Sequence, residues 1–504
     1  MLFSYNWLKW YIPDAPLPAE LAEKITYHLT EVENIEQGPE GNSVLDIKIL
    51  PNRAHDLLSH RGLAREIASL LNINFVDPAS KYKIPQVSSR SDLGGSKGPT
   101  FSELKIEINT DKCRRYMGRI VRNVKVGPSP EWVVRHLEAI GQRSINNLVD
   151  AANLTMFDCG APIHCFDLDK IEGGGLIIRE AMEGEGMTTL DNKKLKLSPA
   201  DLVIADERNV LGLAGIKGGR IAEIDGNTKN IIIEVANFDP VATRKSARRY
   251  GLPTDAAKRF ENEIPPSLGD YAMREISGLL VEYGFEDFEE IIDKYPQKQA
   301  EKKLSFSVNK ISKILGLSVS AEAIENILKR YDFKYKKIGK RSDLRNSKRS
   351  DLEEIFEIIV PPLRLDLEVE EDMAEEIGRV LGYDRVKGSI PKIPFIPKEN
   401  DIYSKISRTR HKLLNEGYSE VMTTSFRDKG KVSVLASASD KNFLRADLAD
   451  GLKESLKLNK LNAPLLGLKE VKIFEIGTVW VPEEEIHVVY NDKDKIIEKK
   501  LDEY

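Results

Sequence analysis

The sequence predicts a multidomain α+β fold, and three observations support that prediction. The chain has 504 residues, which is enough for several domains of about 100–200 residues each. Segments with helical apolar spacing alternate irregularly with short strand-like runs, and no unit repeats at a fixed period. Two polar stretches, residues 88–100 and 293–303, have the composition of a linker and a domain boundary.

Helices and strands follow one another along the first half of the chain. Residues 102–110 alternate like a strand, and residues 131–141 predict a helix that ends at a glycine. Between residues 175 and 240 the runs LIIRE, LVIAD and NIIIEVANF alternate with turn residues, which predicts a region rich in β-strand. A helix over residues 60–73 is predicted by apolar side chains at helical spacing: Leu63, Ile67, Leu70 and Leu71.

The second half of the chain continues the same mixture of elements. We expect helices over residues 270–284 and 321–333. The basic segment from Lys336 to Asp351 lies between two strand-like runs and predicts a solvated loop. A further α/β portion is expected to open with residues 405–421.

Composition narrows the class of protein. Charged residues make up 31%, apolar residues 41%, and the formal net charge is −5, which is not that of a uniformly basic nucleic-acid binder. Three cysteines are too few for a disulfide framework. No secretory signal and no apolar run of membrane-spanning length are apparent. These features predict a soluble protein of the reduced cytoplasm, without a membrane partner.

The densest set of chemically useful side chains lies in NNLVDAANLTMFDCGAPIHCFDLDK, residues 146–170. The spacing of Cys159 and Cys165 matches no common zinc module. His164 has two open interpretations, a general acid or base and a buried histidine bonded to the backbone.

Three later segments also have two interpretations each. LGLAGIKGGR, residues 211–220, holds four glycines and predicts either a tight turn or a pocket wall. Glu234 lies inside the apolar run IIIEVANF, where it either points to water or needs a buried partner such as a substrate hydroxyl. The basic stretch of residues 243–266 predicts a solvated helix face or, less simply, an edge that faces phosphates.

The segment LRLDLEVEEDMAEEIGRVLGYD, residues 363–384, is crowded with acids. On a helix, Asp372, Glu375 and Glu376 share one arc, and Asp366 lies on the extended lead-in. The acids either favour the helix dipole or, as oxygen ligands, suit Mg²⁺. The neighbouring apolar stripe is expected to comprise Val369, Met373, Ile377, Val380 and Leu381.

Six collinear blocks together resemble the beta subunit of bacterial phenylalanine–tRNA ligase. They are PNRAHDLLSHRGLAREIA, RRYMGRIVRNVKVGPSPEW, INNLVDAANLTMFDCGAPIHCFDLDK, LAGIKGG, ARRYGLPTDAAKRFE and EEDMAEEIGRVLGYDRV. The resemblance implies a class II synthetase that works as an (αβ)₂ tetramer on tRNA(Phe). In it the alpha subunit uses ATP to attach phenylalanine, and the beta subunit hydrolyses mischarged Tyr-tRNA(Phe).

The resemblance also implies roles for individual residues. Matching positions place an editing pocket at Asn153, His164, Ala214, Gly215, Glu234, Thr254 and Ala256. They place a Mg²⁺ shared with the alpha subunit at Asp366, Asp372, Glu375 and Glu376. Ala152 departs from the family, which commonly has threonine there. No residue of this chain is expected to catalyse aminoacylation, because no GxGxxxR-like motif is present to hold ATP.

The implied domain order has five parts. We expect an N-terminal α+β domain without the inserted OB barrel (residues 1–87), a linker (88–100) and a β-rich editing domain (101–290). A small helical, winged-type domain (300–395) carries the Mg²⁺-binding carboxylates. An inactive, class II synthetase-like antiparallel α/β core follows (396–504), without the usual anticodon-binding domain, so the sequence is either a fragment or a reduced form. Two other functions stay open, a non-editing subunit that positions tRNA and a free-standing aminoacyl-tRNA hydrolase.

Overall fold

The computed structural model describes residues 1–38, 41–78, 82, 104–341, 352–396, 398–435 and 440–504. It confirms a mixture of helix and strand and divides the chain into two compact units, Met1–Gly388 and Ser389–Tyr504. The predicted linker of residues 88–100 lies outside the described residues. The finer division into five parts stays a prediction.

The N-terminal part of the first unit is a small α+β arrangement. Its three strands form an antiparallel sheet in the order β1–β3–β2. Its elements are β1 (Leu2–Ser4), α1 (Tyr5–Tyr11), α2 (Pro18–His28), β2 (Val32–Gln37), β3 (Ser43–Ile47), α3 (Ala54–Leu57) and α4 (His60–Leu71).

The middle part is rich in strand, as the sequence predicts, and contains two larger sheets. One has the order β12–β11–β10–β7–β4 and the other β14–β5–β13–β6. The elements are β4 (Lys105–Ile108), β5 (Cys113–Val121), α5 (Glu131–Ala139), α6 (Asn147–Cys159), β6 (Ile163–Asp167), β7 (Gly175–Glu180), β8 (Gly186–Thr188), β9 (Lys194–Lys196), β10 (Leu202–Ala205), β11 (Val210–Leu213), β12 (Lys217–Gly218), β13 (Ile231–Phe238), α7 (Pro240–Tyr250), α8 (Asp255–Glu261), α9 (Leu268–Glu282) and β14 (Ile292–Lys294).

The last part of the first unit packs helices on an antiparallel sheet in the order β15–β17–β16. The expected loop from Lys336 was wrong as far as Arg341, because residues 334–341 pair along β17; residues 342–351 lie outside the described chain. The elements are β15 (Lys303–Ser307), α10 (Val308–Leu315), α11 (Ala321–Arg330), β16 (Lys334–Arg341), β17 (Leu352–Ile359) and α12 (Glu370–Leu381).

The second unit is also α/β. Its main sheet has the order β18–β22–β23–β24 and is antiparallel except for the pair β18–β22. A second, small sheet has the order β19–β21–β20. The elements are α13 (Asp401–Asn415), β18 (Ser419–Glu420), β19 (Phe426–Arg427), β20 (Val432–Ser433), β21 (Phe443–Leu444), α14 (Ala449–Asn462), β22 (Ile473–Trp480), β23 (Glu484–Asp492) and β24 (Lys495–Lys500).

Helix positions follow the apolar periodicity closely, with differences at the ends. Helix α9 begins at Leu268, two residues before the expected start, and α11 ends at Arg330 because Asp332 has a φ of 55°. Val369, which we expected in the apolar stripe of α12, precedes the helix and is exposed, whereas Met373 and Ile377 are buried.

The hydrophobic core of the N-terminal part is continuous with that of the middle part. Its buried side chains join one cluster with those of α5, α6, α9 and β13. His60 of α4 shows how closely the parts are joined. Its Nδ1 donates to the Phe157 carbonyl at 3.0 Å, its Nε2 accepts from the Ser4 N–H at 3.1 Å, and its ring stacks on Trp7. Burial lowers the pKa of His60 to about 3, so this histidine is neutral and structural.

Two buried carboxyl groups lie within this shared core. Asp158 of α6 accepts hydrogen bonds from the Trp7 indole N–H at 2.6 Å and from the Tyr11 hydroxyl. Glu275 of α9 is 2% exposed. Burial and the neighbouring Asp158 raise the pKa of Glu275 well above the usual carboxyl range. This environment favours the protonated form of Glu275 in the folded protein.

This raised pKa predicts how stability depends on pH. The stability that protonated Glu275 contributes is fully present below the ordinary carboxyl pKa. It is lost as pH rises, at up to about 1.4 kcal/mol per pH unit. The Glu275→Gln variant should lose less stability on that rise, measured as the urea-dependent free energy of unfolding at several pH values. Glu138→Gln, at an exposed helical position, serves as the control. An identical pH slope in the parent and the Glu275→Gln variant would contradict the assignment.

Candidate functional site

A small cavity of about 90 Å³ lies where the two middle sheets and helix α8 meet. Strands β6 and β13 form one wall, and strands β10 to β12 with the turn before β12 form the other. The lining residues are Pro162, Ile163, His164, Phe166, Ile204, Gly212, Leu213, Gly215, Ile216, Lys217, Gly218, Glu234, Ala256 and Phe260. The glycine-rich segment therefore forms a pocket wall, one of the two alternatives that the sequence left open.

Glu234 is the buried carboxyl group of this pocket. It lies on β13, opposite His164 of β6 and Gly118 of β5, and is 6% exposed. The Tyr116 hydroxyl donates to Glu234 Oε2 at 2.7 Å, so the carboxyl group has the buried partner that its position demands. Burial raises the pKa of Glu234 to about 7, against the lowering effect of this hydrogen bond.

His164 stands directly across the strand pair from Glu234. Burial lowers its pKa to about 4, so the imidazole is neutral at neutral pH. Its ring meets the Phe166 ring edge to face, with centroids 4.5 Å apart. Within the described chain, no hydrogen bond to a side-chain nitrogen of His164 is present. The alternative of a histidine bonded to the backbone is therefore not what this arrangement shows.

Two glycines give the pocket its shape. Gly215 has a φ of +69°, and a Cβ there would lie 2.8 Å from Phe260 and 3.0 Å from Phe238. A Cβ at Gly218 would lie 2.7 Å from His164 Cε1. Both positions require glycine, the first for its backbone conformation and for space, and the second for space alone.

The seven predicted pocket residues separate into two groups. His164, Gly215, Glu234 and Ala256 line the cavity. The other three do not line the cavity: Asn153 is half-buried on α6, Ala214 is buried, and Thr254 caps α8. Ala152 is buried in the shared core at 5% exposure and does not line the cavity either.

Sequence reasoning missed three aromatic residues of the site. Phe166 and Phe260 line the cavity, and Tyr116 holds Glu234. The signal for Tyr116 was weak, because its strand is buried at nearly every position and shows no alternation. A buried carboxyl group in the sequence predicts a hydrogen-bond partner without indicating which residue supplies it.

The acidic segment belongs to a network of buried ion pairs. Glu376 accepts from Arg364 Nη1 at 2.7 Å and from Arg379 Nε at 2.8 Å. Asp366 is paired with Arg364 at 2.6 Å and lies 3.2 Å from His55 Nε2. A second carboxylate, Glu66 of α4, joins Arg53 and Arg379, each at 2.7 Å. The arginines hold the pKa of Glu376 well below its usual range.

The other two predicted metal ligands have different surroundings. Asp372 Oδ2 accepts from the backbone N–H groups of Glu368 and Val369, at 2.7 and 2.8 Å, and so caps helix α12. Glu375 is exposed. No grouping of three or more metal-binding side chains occurs among the residues that the structure describes. As arranged in this chain, the four carboxylates do not fit Mg²⁺, because three already neutralise arginines or cap a helix.

Two family models and several curated proteins match this chain. The family described as the B3/4 domain matches residues 112–284, and the tRNA synthetase B5 domain matches residues 304–383. The phenylalanine–tRNA ligase beta subunit of Geobacter metallireducens is 32% identical over 463 residues, which is 88% of this chain and 54% of that protein. Its counterpart from Fusobacterium nucleatum is 35% identical, over 77% of this chain and 46% of that protein.

The chain belongs to the phenylalanine–tRNA ligase beta subunit family. It spans about half the length of the curated relatives it matches. An N-terminal fragment of the phenylalanyl-tRNA synthetase beta-subunit from Pyrococcus horikoshii covers 76% of the chain at 14% identity, with a TM-score of 0.41, too low to support an argument. Among the described residues, none of the helices combines the length and the apolarity that a membrane crossing requires.

The hydrogen bond from Tyr116 predicts a measurable shift in the titration of Glu234. Tyr116→Phe removes a donor to the ionised carboxylate, so the pKa of Glu234 should rise above about 7. The carboxyl signal can be followed by infrared or NMR titration, with Tyr27→Phe, at an exposed position, as the control. A pKa of Glu234 that stays unchanged or falls would show that this hydrogen bond does not stabilise the carboxylate.

The ion-pair network predicts unequal costs for two adjacent glutamates. Glu376→Ala leaves Arg364 and Arg379 without their shared partner and should cost about 3–5 kcal/mol of unfolding free energy. Glu375→Ala changes an exposed side chain and should stay within about 0.5 kcal/mol of the parent. Denaturant unfolding compares the two variants. Equal costs would mean that the network does not stabilise this chain.

Proposed function

We propose that this chain acts in the cytoplasm as the beta subunit of phenylalanine–tRNA ligase and hydrolyses mischarged Tyr-tRNA(Phe). The observation that supports editing most directly is a pocket whose one buried acid, Glu234, is already held in place by Tyr116. Membership of the family and the match to the B3/4 domain support the wider role.

Selection of tyrosine over phenylalanine follows from the chemistry of Glu234. The two amino acids differ by one hydroxyl group, and the Tyr116 hydroxyl occupies only Oε2 of the carboxyl group. A substrate phenol can donate to the remaining lone pairs, since a carboxylate accepts several hydrogen bonds. Phenylalanine offers no donor and leaves that buried polar surface unpaired, which disfavours its binding.

Hydrolysis requires water at the ester carbonyl that joins the amino acid to the terminal ribose. His164, neutral and without a partner in the described chain, is placed to accept a hydrogen bond from that water or from a ribose hydroxyl. Water adds to the carbonyl carbon, the ester bond breaks, and the ribose oxygen leaves with a proton. A pKa near 4 makes His164 a weak base, so we assign it to orienting the water.

In this proposal a partner subunit carries out aminoacylation. An alpha subunit, in an (αβ)₂ tetramer with class II chemistry, attaches phenylalanine to tRNA(Phe) with ATP. The second unit exposes many large apolar side chains, which is typical of a surface that binds protein. Four of them are more than nine-tenths exposed: Ile390, Ile396, Met422 and Leu435.

We assign no magnesium-dependent step to this chain. A Mg²⁺ at Asp366, Asp372, Glu375 and Glu376 stays a prediction. Holding it would require the arginine pairs of Asp366 and Glu376 to open.

Deacylation of Tyr-tRNA(Phe) by the chain co-purified with an alpha subunit tests the proposal. Glu234→Ala should lower the preference for Tyr-tRNA(Phe) over Phe-tRNA(Phe) by about tenfold or more, because the phenol loses its partner. His164→Ala should slow hydrolysis, and neither variant should alter phenylalanine charging. Glu183→Ala, at an exposed position, is the matched control.

The outcomes of this test separate two functions. Hydrolysis that falls in both pocket variants, with charging intact, supports editing at this pocket. Charging without hydrolysis in the parent complex would leave the chain as a subunit that supports the synthetase and positions tRNA without proofreading.

A further inference from the structure

A second, larger concavity lies against the same helix as the pocket. This groove has a volume of about 600 Å³ and runs between the α7–α8 connection and the N-terminal segment from Ile49 to Leu58. Its floor contains buried apolar side chains, namely Ala54, Leu58, Ala247, Leu252 and Ala257. The groove is thus large enough for a small ligand and apolar at its base.

Helix α8 is the common wall of the groove and the pocket. Thr254, Asp255, Ala257 and Lys258 line the groove, whereas Ala256 lines the pocket. The Thr254 hydroxyl donates to the Ile216 carbonyl at 2.9 Å and accepts from the Ala257 N–H at 3.1 Å. These bonds fix α8 to the pocket wall, so the two concavities are back to back with one helix between them.

Four cations of α7 and α8 lie at the groove or on the helical turn next to it. Arg248 and Lys258 line the groove, and Arg244 and Lys245 lie on the preceding turn of α7. All four are exposed and form no ion pair with the described residues. Arg244 and Arg248 are four residues apart on one helix, where like charges destabilise the helix.

Two neighbouring arginines, unlike these four cations, have partners within the chain. Arg249 is paired with Asp201, and Arg259 is buried and donates to the Leu58 carbonyl at 2.8 Å. Of the acids in the groove, Asp255 lies 3.7 Å from Arg259. Glu261 is the other acid that lines the groove. The positive charge of this surface therefore comes from Arg248 and Lys258 together with Arg244 and Lys245 on the adjoining turn of α7.

We infer that this groove binds the backbone phosphates of the single-stranded 3′ end of the aminoacylated RNA, through Arg248 and Lys258. The inference rests on the proposed editing function, because an ester in the pocket is attached to the last ribose of an RNA strand. A strand that leaves the pocket over α8 meets these two cations first. Cations above an apolar floor suit a single strand, with phosphates at the rim and riboses or bases below.

The test compares two substrates that share the ester and differ in the strand. Tyr-tRNA(Phe) carries the phosphates, and 3′-O-tyrosyl-adenosine carries none. The double variant Arg248→Ala/Lys258→Ala should lower kcat/KM about tenfold for Tyr-tRNA(Phe) and leave hydrolysis of the nucleoside ester unchanged. Lys24→Ala/Lys194→Ala, which removes two exposed cations outside the groove, is the matched control.

Binding of uncharged tRNA(Phe) gives an independent readout. The slope of log Kd against log salt concentration should become shallower by about 1.4 in the groove variant, since about 0.7 is lost for each phosphate contact to a single strand. The control variant should keep the slope of the parent.

Each outcome decides one question. A parent that hydrolyses neither substrate refutes the proposed editing function and not merely the groove. Equal hydrolysis of Tyr-tRNA(Phe) by the groove and control variants, or an unchanged salt slope, refutes the groove as a phosphate site. An equal loss on both substrates would also refute it, because the two residues would then support the pocket itself.

Discussion

Strand β13 is bonded to a neighbour on each edge, and every one of its side chains is buried. A carboxyl group in such a strand has little access to water, and this constraint organises the pocket around it. The cost of burying Glu234 is limited in two ways. Its pKa is raised towards neutrality, and Tyr116 donates a hydrogen bond from the next strand. His164 on the other neighbour, Gly218 against its ring and Phe260 against Gly215 close the cavity around that group.

A second buried polar system joins the N-terminal part to the last part of the first unit. Arg53 and Glu66 come from the N-terminal part, whereas Arg364, Glu376 and Arg379 come from the acidic segment and its lead-in. Arg330 of α11 adds a hydrogen bond to the Ser69 carbonyl at the end of α4. A divalent cation at these carboxylates would compete with the arginines for the same oxygens. In the described chain these carboxylates pair with the arginines.

Much of this organisation follows from the sequence, because local patterns determine local structure. Helices α4 and α9 lie where apolar spacing predicts them, and the collinear motifs indicate the family. The rest depends on contacts between distant residues. Tyr116 and Glu234 are 118 residues apart, and no local pattern links them. Alternation could not decide whether Glu234 points to water, since a strand buried on both faces has no polar side. In the same way, spacing grouped Asp372, Glu375 and Glu376 on one arc, yet their surroundings differ. Asp372 caps the helix, Glu375 is exposed, and Glu376 is buried between two arginines.

The shared hydrophobic core has a consequence for the synthesis of the protein. Trp7, Leu63 and Ile67 pack with side chains of α6 and α9, which emerge from the ribosome much later. At about 5–20 residues per second, the interval between Leu71 and Glu282 lasts about 10–40 s. During that time the first helices lack the apolar side chains of α9 that complete their core. The nascent chain thus passes through an interval in which its N-terminal segment depends on chaperones or on its own charged residues to stay out of aggregates.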